Sequence, residues 1–309
     1  MSSSLYGFRA RAFACGIVFA SAFPAAAFAC ACGCAVFDVG TSTLLPSGPG
    51  GTAFLEYDFL NQTTNWSGEH AAPSANNDDK HIRSDFMLAG GQYMFDEDWG
   101  AMVEVPVTHR TFVTTDPDNT GTFSHTAPGD IRLMGVYSGF SSDMSSGLIA
   151  GVKLPTGDHT YAHFDHDVEI GSGSTDLLLG GYYTGAVTPD QSVSYFVQGL
   201  WQHELTIQDG NRPGAEINGA AGVSYIGGHI GDWTVSPIFQ ALVSSRGRDG
   251  GVGDRDNTGY TRLLVSPGVS VARDAWKLYA DVEVPVGQQI NGNQLIAPVA
   301  LKFIASYSF

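Results

Sequence analysis

The chain ends on LIAPVALKFIASYSF, residues 295–309. Counting back from Phe309, every second residue is apolar or aromatic: Tyr307, Ala305, Phe303, Leu301, Val299, Ala297 and Leu295. Lys302, Ser306 and Ser308 lie between them, with Ile304 and Ala300 softening the contrast. A period of two belongs to a β-strand with one apolar face. Alternation alone does not separate a soluble sandwich from a sheet that faces lipid. Length does: sandwich strands average about five or six residues, whereas a strand crossing a bilayer needs about nine to eleven.

Working back from this stretch, the same pattern recurs. In WKLYADVEVPV, Leu278, Ala280, Val282, Val284 and Val286 alternate with Lys277, Tyr279, Asp281 and Glu283. In TRLLVSPGVSV, Leu263, Val265, Val269 and Val271 alternate with Arg262, Ser266 and Ser270, and in AMVEVPV the valines oppose Glu104. Twelve strands are expected, near 52–62, 81–95, 100–115, 130–140, 147–157, 173–187, 192–207, 215–228, 233–247, 259–273, 276–288 and 295–309. Short links such as DEDW, SSDMSS, TPDQ and HIGD alternate with long polar ones such as QTTNWSGEHAAPSANNDDK and HTYAHFDHDVEIGSG. Short turns at one end and long loops at the other, over an even number of long strands, describe an all-β, up-and-down, transmembrane antiparallel barrel. Closing the sheet removes the two edges an open one would expose. Trp99, Trp233, Trp276, Tyr93 and Tyr225 fall at expected strand ends, where amphipathic rings favour the headgroup zone.

Residues 1–29 read as a cleaved secretory signal: Arg9 and Arg11, an apolar centre, then Ala27-Phe28-Ala29. Residues 30–51 then form a periplasmic segment and 52–309 the barrel. The net charge is −16, or −18 without the signal, which argues against a nucleic-acid partner. Outer-membrane lipid and lipopolysaccharide are the expected surroundings, in a bacterial outer membrane. An aromatic last residue preceded by Tyr307 resembles the signal read by the barrel-assembly machinery of Gram-negative bacteria, so Tyr307 and Phe309 are assembly candidates.

Charged residues on the non-apolar faces are expected to line the lumen: Glu56, Asp58, Arg83, Asp85, Glu104, Arg132, Lys153, Asp176, Glu204, Glu216, Arg262, Lys277, Asp281, Glu283 and Lys302. Acids outnumber bases nine to six, so a conducting pore would mildly prefer cations. Twelve strands lie between the filled eight-stranded barrel and the wide sixteen-stranded channel. A narrow or plugged passage is expected.

Two clusters invite metal chemistry. Cys30, Cys32 and Cys34 could converge on a soft metal, form a disulfide, or carry a lipid on Cys30. His159, His163 and His166, with Asp165, Asp167 and Glu169, crowd one loop, where a solvated acidic loop is the competing reading. No G-x-S-x-G nucleophile elbow supports an enzyme. The runner-up to a channel is a non-conducting barrel that presents the Cys motif for metal or redox handling.

The stretches GDIRLMGVY, GLIAGVKLPTGD, GSGSTDLLLGGYY and LYADVEVPV, with the C-terminal strand, resemble the outer-membrane transporters grouped with the phenol meta-cleavage pathway. The likeness runs from about Gly129 to the C-terminus and more loosely from Gly51. It implies a barrel that passes small solutes, aromatic or hydrophobic ones among them, and it brings no catalytic residues.

Overall fold

The computed structural model describes residues 45–46, 48–226 and 228–309. The expected signal and Cys30, Cys32 and Cys34 lie outside these described residues. The strands are β1 (Gly50–Gln62), β2 (Thr64–Gly68), β3 (His70–Ala71), β4 (Asp79–Met94), β5 (Trp99–Thr114), β6 (Gly121–Pro128), β7 (Arg132–Tyr137), β8 (Ser146–Lys153) and β9 (Ser174–Ala186). They continue as β10 (Val193–Ile207), β11 (Asn211–Arg212), β12 (Glu216–Tyr225), β13 (Gly228–Ile230), β14 (Trp233–Arg246), β15 (Gly250–Gly251), β16 (Tyr260–Arg273), β17 (Trp276–Ile296) and β18 (Ala300–Ser308).

Around the wall the order is β1, β4, β5, then β6 with β7, then β8, β9, β10, β12, β14, β16, β17 and β18, every pair antiparallel. β6 and β7 act as two halves of one wall strand. β6 pairs with Val107–Thr114 of β5, and β7 with Trp99–Glu104. The wall is therefore a closed barrel of twelve strands. β18 returns to pair with β1 from Thr52↔Ser308 to Leu60↔Ala300. The seam is finished by a reciprocal pair: Gly51 N–H donates to the Phe309 carbonyl at 2.8 Å, and Phe309 N–H to that of Gly51 at 2.8 Å. The Phe309 ring lies over Gly51, where an added Cβ would stand 2.3 Å from it and push the ring aside.

The turn end is built with one repeated device. Asp96, Asp143 and Asp190 each accept a hydrogen bond from backbone N–H groups two or three residues on. This Asx geometry reverses the chain in few residues. A belt of aromatic contacts follows the same end. It includes Trp99 with Tyr137 (4.7 Å between ring centroids), Tyr93 with Phe95 (5.6 Å), Tyr183 with Tyr195 (5.9 Å) and Trp276 with Tyr307 (5.0 Å).

The two faces are sharply different. On β1, Phe54, Glu56, Asp58 and Leu60 are buried while Leu55 between them is 65% exposed. Leu179, Val197, Phe239, Leu263, Val282 and Phe303 are likewise exposed on the outer wall. So continuous an apolar exterior is tolerable only against hydrocarbon. Inside, the half nearest the turns is filled by Phe54, Phe196, Ala220, Ile238, Leu242, Leu264, Tyr279 and Ile304, with Leu45 packed against them.

Three expectations need correction. Residues 121–128, left outside the strands expected at 100–115 and 130–140, form β6. The strand expected over 147–157 stops at Lys153, and the boundary between the last two expected strands moves, since β17 runs on to Ile296, beyond the expected 288, and β18 starts at Ala300 instead of 295. In β6 the usual sense is inverted. Phe123 and His125 pack against the ring-bearing loop residues His163 and Tyr161 while Thr122, Ser124 and Thr126 are exposed, so the strand lacks a lipid-facing apolar stripe.

Candidate functional site: the lumen and the 154–173 loop

Strand register gathers most of the sequence-predicted lumen charges into two transverse rows. Glu104, Arg132, Lys153, Asp176 and Glu204 stand directly opposite one another across β5, β7, β8, β9 and β10. Arg132 lies 3.6 Å from Glu104, and Lys153 2.7 Å from Asp176. Asp58, Lys302 and Asp281 form the second row across β1, β18 and β17. Lys302 Nζ is 2.6 Å from Glu56 Oε1 and 3.2 Å from Asp58 Oδ1, and all three side chains are at most 7% exposed. Asp281 Oδ2 accepts from Ser266 Oγ (2.5 Å), Tyr279 Oη (2.7 Å) and Gln240 Nε2 (3.0 Å). Glu283 is buried beside this row.

The remaining candidates are dispersed. Glu216 accepts from Asn218, Ser244 and the Tyr260 hydroxyl, and Arg262 stacks over the Tyr260 ring at 4.0 Å. Lys277 lies near the turn end. At the end of the first row, Glu204 stands beside a bulge and lies 3.2 Å from His203 and 3.6 Å from Arg212.

Arg83 and Asp85 are the correction. The register Asp85↔Phe59 and Arg83↔Asn61 puts them on the outer wall with Tyr57 and Phe59. There Tyr57 Oη donates to Asp85 Oδ1 at 2.6 Å, Arg83 Nε lies 3.1 Å from Asp85 Oδ2, and the guanidinium sits 5.2 Å from the centre of the Phe59 ring. The inner face of β4 belongs instead to Ile82, Ser84, Phe86 and Leu88. Near the end of a barrel wall, beyond hydrocarbon depth, an outward charge costs only about 0–1 kcal/mol, so charge there does not by itself mark the inside.

Against the charged rows lies a cavity of about 200 Å³ that opens to solvent. Phe54, Phe86, Leu88 and Pro106 give it an apolar side, while Glu56, Asp58, Glu104 and Arg132 give a charged one. Its roof comes from the loop between β8 and β9: His166, Asp167, Glu169, Ile170, Gly171 and Ser172. The base of that loop is tied by Asp130, in the break between β6 and β7. Asp130 Oδ1 accepts from Gly157 N–H (2.9 Å), and Oδ2 from Ser172 N–H (2.9 Å) and Ser172 Oγ (2.5 Å). Gly157 and Gly171 touch so closely that a Cβ on either would lie under 3 Å from the other. The tip is held by Arg110, whose Nη1 donates to the carbonyls of Val168 (2.6 Å) and Glu169 (3.1 Å). Val168 is fully buried among Ile82, Phe112 and Leu295.

The histidines of this loop part company. His159 Nε2 is 3.1 Å from Asp209 Oδ2, His163 Nδ1 is 2.8 Å from Asn119 Oδ1, and His166 Nδ1 is 3.0 Å from Glu169 Oε2. Among the described residues no set of three or more His, Cys, Asp or Glu is placed to hold a metal. Burial opposes protonation of His159, yet the Gly157 carbonyl and the Asp209 carboxylate hold its pKa above the ordinary value. Burial raises the Glu169 carboxyl, with His166 pulling the other way, and burial likewise raises the Tyr161 phenol.

The wall is an outer-membrane-type β-barrel. No family model matches the chain, and no curated protein matches it. Among solved structures, an outer membrane channel from Pseudomonas putida F1 superposes with a TM-score of 0.67 at 12% identity, covering 88% of this chain and 100% of that one. The β domain of the Bordetella autotransporter BrkA follows with a TM-score of 0.50 at 13% identity, over 84% of this chain and 100% of that one. At such identities the likeness establishes the fold.

Two residues central to the site were not expected from the sequence. Arg110 could have been found, since it keeps the inward phase of Glu104 along β5. Asp130 carries no periodic signal because it sits in a strand break. Removing its carboxylate, as in Asp130→Ala, strands two amides, and the loop base should lose about 1–3 kcal/mol. Faster hydrogen exchange at Gly157 and Ser172, with the wall amides unchanged, is the expected measurement.

Proposed function

We propose that the protein is an outer-membrane channel for small solutes, with its turn end and both chain ends in the periplasm and its long loops outside. The observation that carries this reading is the cavity itself: a space inside a closed barrel, half apolar and half charged, roofed by a loop instead of filled by side chains. A purely structural barrel of this size would be expected to close over such a space. In the conformation described the apolar fill near the turns keeps the passage narrow, which fits facilitated passage better than a wide aqueous pore.

The lining supports small solutes with an apolar body. The phenol-pathway resemblance of the GDIRLMGVY and GSGSTDLLLGGYY stretches favours aromatic ones. Without Arg83 and Asp85 the predicted lumen tally is eight acids to five bases, so cations are the favoured ions. Tyr307 and Phe309 at the seam are the contacts offered to the assembly machinery.

Reconstitution in a planar bilayer tests the reading. Unitary conductance with a reversal potential on the cation-selective side in a salt gradient is expected, and liposome swelling should rank small aromatic solutes above sugars of equal size. A barrel that neither conducts nor swells liposomes, even with residues 159–170 replaced by a short Gly/Ser link, rules the channel out.

A further inference from the structure

We propose that the 154–173 loop is a hinged flap over the cavity, with a fixed base at Asp130 and a releasable tip latched by Arg110. This inference rests on the channel reading and adds its regulation.

The base and the tip are attached in different ways. At the base, one carboxylate binds both ends of the loop, Gly157 and Ser172. Lys153 supports it at 3.6 Å from Asp130 Oδ2 and 2.7 Å from Ser172 Oγ. Backbone bonds add to it: Leu154 N–H to the Ile131 carbonyl (2.8 Å), Gly171 N–H to that of Asp158 (2.7 Å) and Gln208 N–H to that of Gly173 (2.8 Å). Moving the base would break all of these together. Gly173, at φ +63°, supplies a backbone conformation that L side chains rarely adopt where the loop rejoins the wall.

At the tip, no ladder bond joins Val168 or Glu169 to a wall strand. Their carbonyls depend on Arg110 Nη1, and the rest of that side chain is fixed by the wall. Its Nε donates to Ser84 Oγ at 3.0 Å, and its guanidinium sits 5.5 Å from the centre of the Phe86 ring. Arg110 is 2% exposed and stays with the wall whether or not the tip is docked. Val168 enters an apolar socket with Ile82, Phe112 and Leu295, and Phe164 packs against the same cluster, 5.5 Å from the Phe112 ring. Side contacts at 159–163, such as the Tyr161 ring stacked on His125 at 3.8 Å and the His163 ring stacked on Phe123 at 4.3 Å, run along β6. The seam also carries carboxylates that work against docking. Asp79 is 2% exposed, its Oδ2 has no hydrogen-bond partner, and Asp165 and Asp167 of the loop repel it. The Arg110 latch and the apolar plug work against that repulsion. Two discrete arrangements joined by a few contacts are what a gate requires.

The test uses the full-length barrel in lipid. Arg110→Met keeps the bulk of the side chain and removes both donors. Arg110→Lys retains a donor, and Val168→Asp puts a charge into the socket. Hydrogen exchange at residues 166–170 should rise about 10- to 100-fold in Arg110→Met and Val168→Asp and less in Arg110→Lys, while Gly157 and Ser172 keep their protection. Single-channel open time should rise in the same order, toward that of a barrel with 159–170 replaced by a short Gly/Ser link. If the linked barrel conducts but the two variants leave the tip protected, or free the tip without changing open time, the flap is overturned and the channel stands. If the linked barrel is silent, the channel fails and the flap falls with it.

Discussion

Replacing Lys302 by Met should destabilise the barrel by about 3–5 kcal/mol, the usual cost of leaving buried charge without its partner. Lys302 is the cation shared by Glu56 and Asp58, and it stands in register with Asp281 on its other side. None of these groups is more than 7% exposed, so bulk water cannot take over its role. The loss should be specific to charge. Combining Lys302→Met with Glu56→Gln and Asp58→Asn should recover most of it, because the layer is then neutral and close to its original volume. Urea unfolding in lipid vesicles, followed by tryptophan fluorescence, measures each variant. An equal loss in the single and triple variants would mean that Lys302 acts through packing instead.

The second large effect concerns the opposite face. Val282→Arg should cost about 2–4 kcal/mol, as expected for a cation at the bilayer midplane, whereas Thr261→Arg toward the loop end should cost about 0–1 kcal/mol. Val282 is 39% exposed and paired with Leu301 on the outer wall. In water the same residue would be ordinary surface, and an Arg there would be harmless. The contrast between the two positions, measured in the same vesicles, therefore reads out the hydrocarbon directly. Equal and small effects would show that no bilayer covers this wall.

The architecture was legible because lipid-facing strands must alternate over their whole span. The tail ending at Phe309 and the valine stripes of β5 and β17 announce a barrel wall with the twelve strands found. Side-chain direction was legible wherever the strand lies at membrane depth, as at Glu56, Glu104, Asp281 and Lys302. It failed at Arg83 and Asp85, because above the hydrocarbon either face can carry charge and only pairing with β1 fixes the sense. β6 was hidden for a related reason: its ring-bearing face turns inward onto a loop and its polar face outward.

Much of the candidate site was out of reach of periodicity. Arg110 kept the inward phase of its strand, but its role depends on a loop 58 residues away in sequence. Asp130 works from a break between two half-strands, and nothing in its neighbours announces that two distant amides will converge on it. The rows of opposed charge depend on register across strands, which a single sequence does not specify. The crowded histidines drew notice by their spacing, yet the fold sends each to a different acceptor.

Pairing Gly51 with Phe309 also dictates an order of events. Because the first wall strand pairs with the last, a sheet in which β18 has not yet docked carries two raw margins at once, one near each end of the wall. Until β18 meets β1, both margins are open to pairing with strands of other chains.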